Sequence, residues 1–376
     1  GFAAATKEAS SGRLRHHVGP MPTASARFHL ISGNRLDRLA AHLGARLAAP
    51  ADPDSLAPDV VLIPQPALRH WLQQALAERY GVAANLDICT PSEFVWRLLR
   101  SAHPQLPDTS PWDRESLRWQ LYALLDDRAA SLPPAVRLHL QRAAGASAEI
   151  GGHAFGEHAL GEHALGERAL ARYGLADALA GAYDKYQAYR RDWLQAWERN
   201  DHASRDDWQA QLWRALRQRL RGTSHRAVLL GEWLARYDRE ADTFAGSAPP
   251  GLPPRVAAFG TIHVSPDVLH LLAVVGQWSE LDFYLPTPSA EYWGDVESLR
   301  ERLRRDGVAS LPVALADAER DNPLLTAWGA GGREILAQLF SYEIVLPQRE
   351  TELFALPGRD TLLHRLQQDV LDRAAP

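Results

Sequence analysis

The residues best placed to do chemistry in this sequence sit at two turns. Phe28 to Leu47, FHLISGNRLDRLAAHLGARL, reads as a buried strand, a tight turn and a helix. In a nucleotide-driven motor such a turn reads G-x-x-x-x-G-K-[ST], with backbone N–H groups cradling phosphates and one lysine reaching them. Here the turn is Ser32-Gly33-Asn34-Arg35. A second strand–turn–helix runs from Arg255 to Trp278, RVAAFGTIHVSPDVLHLLAVVGQW. An active motor ends such a strand in Asp-Glu, to hold magnesium and position water. This strand ends in Phe259-Gly260, and Asp267 is accounted for by the start of the following helix. The frame of a motor is present twice, without the groups that handle its fuel.

The rest of the reactive inventory points the same way. Only Lys7 and Lys185 are lysines among the 41 basic residues; the others are arginines. Lys7 lies in a polar tail, and Lys185 sits in AYDKYQAY with no glycine-rich loop before it, so neither fits a phosphate-loop lysine. No Asp/Glu-x-Lys triplet exists, which removes the usual site of a metal-dependent restriction-type nuclease. The single cysteine, Cys89, excludes an internal disulfide and a Cys-rich zinc site and fits a reducing cytoplasm. His153, His158 and His163 recur in a GEHAL repeat. Five residues turn a helix by about 500°, so the copies share no face, whereas metal ligands on a helix want i, i+4 spacing. The repeat reads as a solvated surface loop near 151–170. A net charge of -5 gives no general attraction to nucleic acid, so any such site must be local. No run approaches the roughly 20 apolar residues of a membrane span.

These turns need elements to hold them. Residues 1–26 are small, polar and aperiodic, and read as a disordered tail, with Met21 as the natural start. Leu36, Leu39, Leu43 and Leu47 give the first helix one apolar face. Val60 to Ile63 is a second buried strand, followed by a helix with Leu68, Trp71, Leu72 and Leu76 on one side and Gly81 as its stop. Thr90-Pro91-Ser92-Glu93 is a capping box opening a helix with Phe94, Trp96, Leu98 and Leu99. This β-α-β-α-α order begins a doubly wound α/β sheet. From 104 to 222 the strand pattern stops and helical periods take over, which implies an all-α domain inserted between sheet segments 27–103 and 223–346. The apolar run Ala227 to Leu234 resumes the sheet pattern, and Arg226 stands before it as before a strand. Ser265-Pro266-Asp267 caps the second helix, whose Val268, Leu271, Leu272 and Val275 face the core. Leu281 to Leu285 is a further strand, and Pro323 to Phe340 reads as helix. Residues 347–376 read as a linker toward a following domain of a longer protein.

Several stretches, taken in order, carry a resemblance: SGNRLDRL, WLQQALAERYGVAANLD, TPSEFVWRLL, YRRDWLQAWE, LPPRVAAFGT, PTPSAEYWGD and NPLLTAWG. The sequence resembles the RecC (gamma) subunit of bacterial exodeoxyribonuclease V, the RecBCD helicase–nuclease. The likeness runs from Phe28 to the C-terminus, apart from the GEHAL repeat. It implies a RecA-like (P-loop NTPase-type) α/β sheet of a degenerate superfamily-one helicase carrying an inserted all-α domain. It further implies a non-catalytic scaffold with RecB-like and RecD-like partners, which splits duplex DNA, channels the 3′-ended single strand and recognises a Chi-like hotspot in double-strand-break repair. No cofactor is expected in this chain; ATP and magnesium would be used by the partner subunits. The competing readings are a self-sufficient ATP-dependent helicase and an interaction module without DNA binding.

Matched position by position, Trp96, Asp184, Arg190 and Arg226 stand where the family has channel-lining residues. Arginine binds phosphate bidentately or stacks on bases, and tryptophan is a stacking platform worth about 1–3 kcal/mol per base. A carboxylate accepts from a base amino group. Each has a plainer reading: Trp96 as helix packing, Arg190 with Asp184 as a surface pair, Arg226 with a carboxylate partner. After the second strand the family is rich in small polar and amide side chains. This sequence has Pro64, Gln65, Pro66 and His70 there, so the resemblance implies a hotspot other than the enteric Chi, with Gln65 and His70 as candidate base readers.

Overall fold

The computed structural model of the protein describes residues 27–49, 58–127, 132–151, 157–307, 315, 321–348 and 351–374. The 1–26 tail, and His153 of the repeat, lie outside the described residues.

Six strands form one parallel sheet: β1 (Phe28–Gly33), β2 (Asp59–Leu62), β3 (Leu86–Cys89), β4 (Arg255–Phe259), β5 (Glu280–Pro286) and β6 (Val345–Gln348), in spatial order β3-β2-β4-β5-β1-β6. The opening strand is therefore internal, paired with β5 through Phe28↔Leu281 and with β6 through Phe28↔Val345. Side chains of a strand alternate between faces, and this alternation builds two cores. Phe28, Leu30, Val60, Leu62, Val256, Ala258 and Phe283 turn to one face. There they meet α3 (Pro91–Ala102), α9 (Arg226–Tyr237), α10 (Pro266–Gly276) and α13 (Ala330–Phe340). Ile31, Val61, Ile63, Ala257, Phe259 and Tyr284 turn to the other, under α1 (Leu36–Leu47) and α2 (Ala67–Tyr80). Both faces are covered, as a parallel sheet requires.

Local signals placed most of these elements. Thr90 and Glu93 close the capping box, with Thr90 Oγ1 accepting from Glu93 N and the Glu93 carboxylate accepting from Thr90 N at 2.7 Å. Ser265 caps α10, accepting from Val268 N. Gly81 ends α2 at φ +82°, a conformation that favours glycine.

Between α3 and α9 the described chain is helical: α4 (Arg114–Asp126), α5 (Pro134–Gly151), α6 (Glu157–Tyr189), α7 (Arg191–Glu198) and α8 (Trp208–Arg219). These helices bury a core of their own around Trp112, Tyr183, Trp197 and Trp213. The indoles of Trp112 and Trp213 lie 5.1 Å apart, and buried His225 stands 5.2 Å from Trp213.

Five expectations need correction. The GEHAL repeat is not a loop from Glu157 onward: it is the first half of the 33-residue helix α6. Glu, Ala, Leu and Arg are good helix formers, an interior glycine costs only about 1 kcal/mol, and the packed half from Ala176 to Tyr183 anchors the rest. The apolar run after Arg226 is helix α9, not strand; so short an apolar run does not by its period tell the two apart, and the exposed side of the helix, Glu232, Ala235 and Arg236, begins only after Gly231. The short strand β3 was missed, because four residues with Asp87 among them carry little apolar signal. The span 323–340 is two helices, α12 (Pro323–Trp328) and α13, separated at Gly329. A Cβ on Gly329 would fall 2.5 Å from the Trp293 ring, so the break admits that indole.

Finally, 347–376 is no free linker. Pro347 lies in β6, on the sheet edge where a missing N–H is tolerated. Leu353 is buried in the second core, and α14 (Leu362–Leu371) docks through Leu371. Arg373 pairs with Asp295 and Asp321, both at 2.8 Å, and Asn322 donates to Ala374 O. The motifs Tyr292-Trp293-Gly294-Asp295 and Asn322 to Gly329 thus pack on one another and hold this segment.

Candidate nucleic-acid interface

The carboxyl ends of parallel strands are where an open α/β sheet meets ligands, and the two motor-like turns both lie there. They have opposite fates. At the first, Asn34 grips a later part of the chain: its Nδ2 donates to Ala355 O at 2.9 Å and its Oδ1 accepts from Ala355 N at 2.8 Å. Arg38 donates to Glu352 O at 2.7 Å and to Phe354 O at 2.9 Å. A Cβ on Gly33 would stand 2.9 Å from Leu353 O. The chain from 352 to 355 therefore lies on the surface that a phosphate would need, and the residues clasping the turn include no lysine.

At the second turn Gly260 takes φ +68° and Thr261 is buried, while Ile262 and His263 are exposed. No carboxylate lies between Phe259 and Val264. Asp267 sits in the first turn of α10, 3.8 Å from Arg191; burial pushes its carboxyl above the usual range, against the pull of Arg191, His270 and Arg226.

One buried carboxylate on the sheet is structural. Asp282 of β5 accepts from His29 Nδ1 at 2.9 Å and Arg46 Nε at 3.0 Å, and Arg46 also meets Glu280. Burial would raise its carboxyl pKa, but the bonds from His29 and Arg46 outweigh that and hold it below the usual range. His29, Glu280 and Asp282 have the donor count of a metal site, yet the Arg46 guanidinium already pairs with both carboxylates.

The six candidate channel residues fall into two groups. Asp184 on α6 and Arg226, the first residue of α9, come together as an ion pair at 3.9 Å. Asp113 belongs to the same field; burial raises its carboxyl while Arg226 opposes the shift. Arg190, between α6 and α7, does not pair with Asp184. It makes a bidentate bond to Asp192 at 3.0 and 3.1 Å and lies 3.5 Å over the Trp193 ring. Arginine stacked on a half-exposed tryptophan is a ready surface for a base or phosphate.

The second group lies at the β2–β3 side of the sheet. Gln65 and His70 are exposed beyond the end of β2, one before α2 and one on it. Trp96 of α3 packs partly against the main core and donates from Nε1 to Asp108 O at 2.9 Å. It also lines an open cavity of about 410 Å³ with Arg69, Arg97 and Arg100. Arg97 pairs with Asp87, Arg100 with Asp108 at 2.5 Å, and Arg69 donates to Ile88 O. Burial pushes the Cys89 thiol in this cavity up to about 11, so it is inert at neutral pH. Sequence reasoning missed these arginines. The signal was present in Trp96, Arg97 and Arg100 at helical spacing, but Arg69 joins them only through the fold.

The model of the family described as "RecC, N-terminal domain" matches residues 28–373, and the chain belongs to that family. Among curated proteins it is similar to the RecBCD enzyme subunit RecC of Escherichia coli strain K12, 29% identical over 369 residues covering 90% of this chain and 30% of that protein. It is 25% identical over 398 residues to the Haemophilus influenzae subunit of the same name, covering 92% of this chain and 33% of that protein. The Mycolicibacterium smegmatis subunit is 28% identical over 352 residues, 91% of this chain and 28% of that protein. The chain thus spans about a third of the length of these relatives. No helix among the described residues is long and apolar enough to cross a membrane.

Proposed function

We propose that this chain is part of a non-catalytic, DNA-binding scaffold subunit of a RecBCD-type helicase–nuclease acting in double-strand-break repair in the bacterial cytoplasm. On this reading 27–103 and 223–346 form a RecA-like domain of a decayed superfamily-one helicase, and 104–222 an all-α domain inserted in it. RecB-like and RecD-like subunits are its partners and supply ATP and magnesium chemistry. The chain helps to split the duplex, guides the 3′-ended strand and reads a Chi-like hotspot. Trp96, Asp184, Arg190, Arg226, Gln65 and His70 are the residues assigned to that strand.

One observation carries the reading: the turn after β1, where a motor holds phosphates, is clasped to residues 352–355 by Asn34 and Arg38. A nucleotide there would have to displace protein that is already hydrogen-bonded, and the turn itself carries no lysine. Family membership supplies the context, and Arg190 stacked on Trp193 supports the DNA contact.

The test is binding of labelled single-stranded DNA as salt is raised, alongside a fluorescent ATP analogue with magnesium. The chain should bind DNA with a negative salt slope and leave the analogue free. Arg190→Ala should reduce the slope by about 1. Saturable binding of the analogue would overturn the inactive-motor reading, and an unchanged slope would remove Arg190 from the path.

A further inference from the structure

Beside the second turn lies a small pocket whose polar side chains serve nothing else. It has a volume of about 170 Å³ and lies between Ile262 and His263 after β4, Tyr189 at the end of α6, and Gly331, Glu334 and Gln338 on α13. Glu334 and Gln338 are one helical turn apart, so both present to the same side. Gly331 lies on the His263 side of the pocket, where a Cβ would make ordinary contact with the imidazole at 3.6 Å. The side chains of Tyr189, His263, Glu334 and Gln338 have no polar partner among the described residues. The contrast with their surroundings is sharp, since Arg190, Arg191, Asp184 and Arg226 nearby are all paired.

We propose that this pocket is a subsite for one unstacked base of single-stranded DNA, selective for a base that carries an exocyclic amino group. The proposal rests on the DNA-binding reading above and adds a place and a preference to it. Tyr189 is 55% exposed and offers a ring for stacking. A carboxylate accepts from the amino group of cytosine, and an amide pairs with the N6/N7 edge of adenine; Glu334 and Gln338 supply one of each. Thymine has no amino donor and would leave Glu334 facing a carbonyl. Arg190 follows Tyr189 in the chain, and its exposed guanidinium, stacked on Trp193, would exchange Asp192 for a flanking phosphate.

The probe is a set of fluorescein-labelled oligonucleotides of one length: oligo(dC), oligo(dA), oligo(dT) and an abasic strand, each titrated into the full chain by anisotropy. The wild type should favour dC and dA over dT by about tenfold. Glu334→Ala combined with Gln338→Ala should erase that preference and leave affinity for the abasic strand unchanged, which also reports that the variant is folded. Tyr189→Ala should weaken every base-bearing strand by about tenfold and spare the abasic one. A preference that survives the double variant, or equal wild-type binding of all strands, overturns the pocket while the DNA-binding reading stands. Failure of every strand to bind overturns both.

Discussion

The two strand–turn–helix units are built alike and end differently. β1 and β4 lie in the same parallel sheet with β5 between them, each is buried, and each leads into a helix whose apolar side packs on the sheet. The first turn is closed by its own chain: Asn34 binds Ala355 both ways, and Leu353 is buried behind Gly33. The second is open, with Ile262 and His263 exposed beside a pocket of unpaired polar groups. A sheet fixes where such turns stand, but what covers a turn decides whether it can meet a ligand. In this chain the turn after β1 is covered by residues 352–355, and the turn after β4 is left open.

The comparison breaks most visibly at Leu353. Its side chain is 6% exposed and packs in the core shared by α1 and α2. Leu353→Ala should cost about 2–5 kcal/mol in urea unfolding and free the first turn for proteolysis near residue 351. A loss under about 0.5 kcal/mol would mean that the clasp is not part of the folded unit.

A smaller effect separates the units by pH. Asp282 is tied to β1 and α1 through His29 and Arg46, and its carboxyl is held below its ordinary 3.8. Such a group lends stability that is fully present above about 3.8 and is lost as pH falls through the lower folded value. Asp282→Asn should therefore flatten the acid limb of the stability curve by at most about 1.4 kcal/mol per pH unit. An acid limb identical to that of the wild type would place the dependence on other carboxylates.

The smallest effect tests the open unit. Ser265→Ala removes the cap of α10 and should cost about 1 kcal/mol. Because Ser265 lies two residues from His263, the same change should also weaken any ligand seated beside His263. Thermal unfolding and oligonucleotide binding measured together check both halves.

The sequence by itself determined the parts whose causes are local. The capping box at Thr90, the Ser265 cap and the Gly81 stop are set within four residues, and each formed where its residue types required. The lack of a phosphate-loop lysine and of a strand-end carboxylate was equally plain from residue identity. What only the tertiary structure decided depends on partners far apart in the chain. Asn34 finds Ala355 across 321 positions, Arg69 joins Trp96 only because β3 lies beside β2, and Tyr189 and Gln338 line one pocket only because the fold brings their helices to it. α9 was misread for a different, local reason: its start, Ala227 to Leu230, is an unbroken apolar run, and its exposed residues Glu232, Ala235 and Arg236 come only later. Hydrophobic pattern and capping act over one or two turns of chain, whereas the sealing of one turn and the opening of the other are fixed by packing between segments that no local signal links.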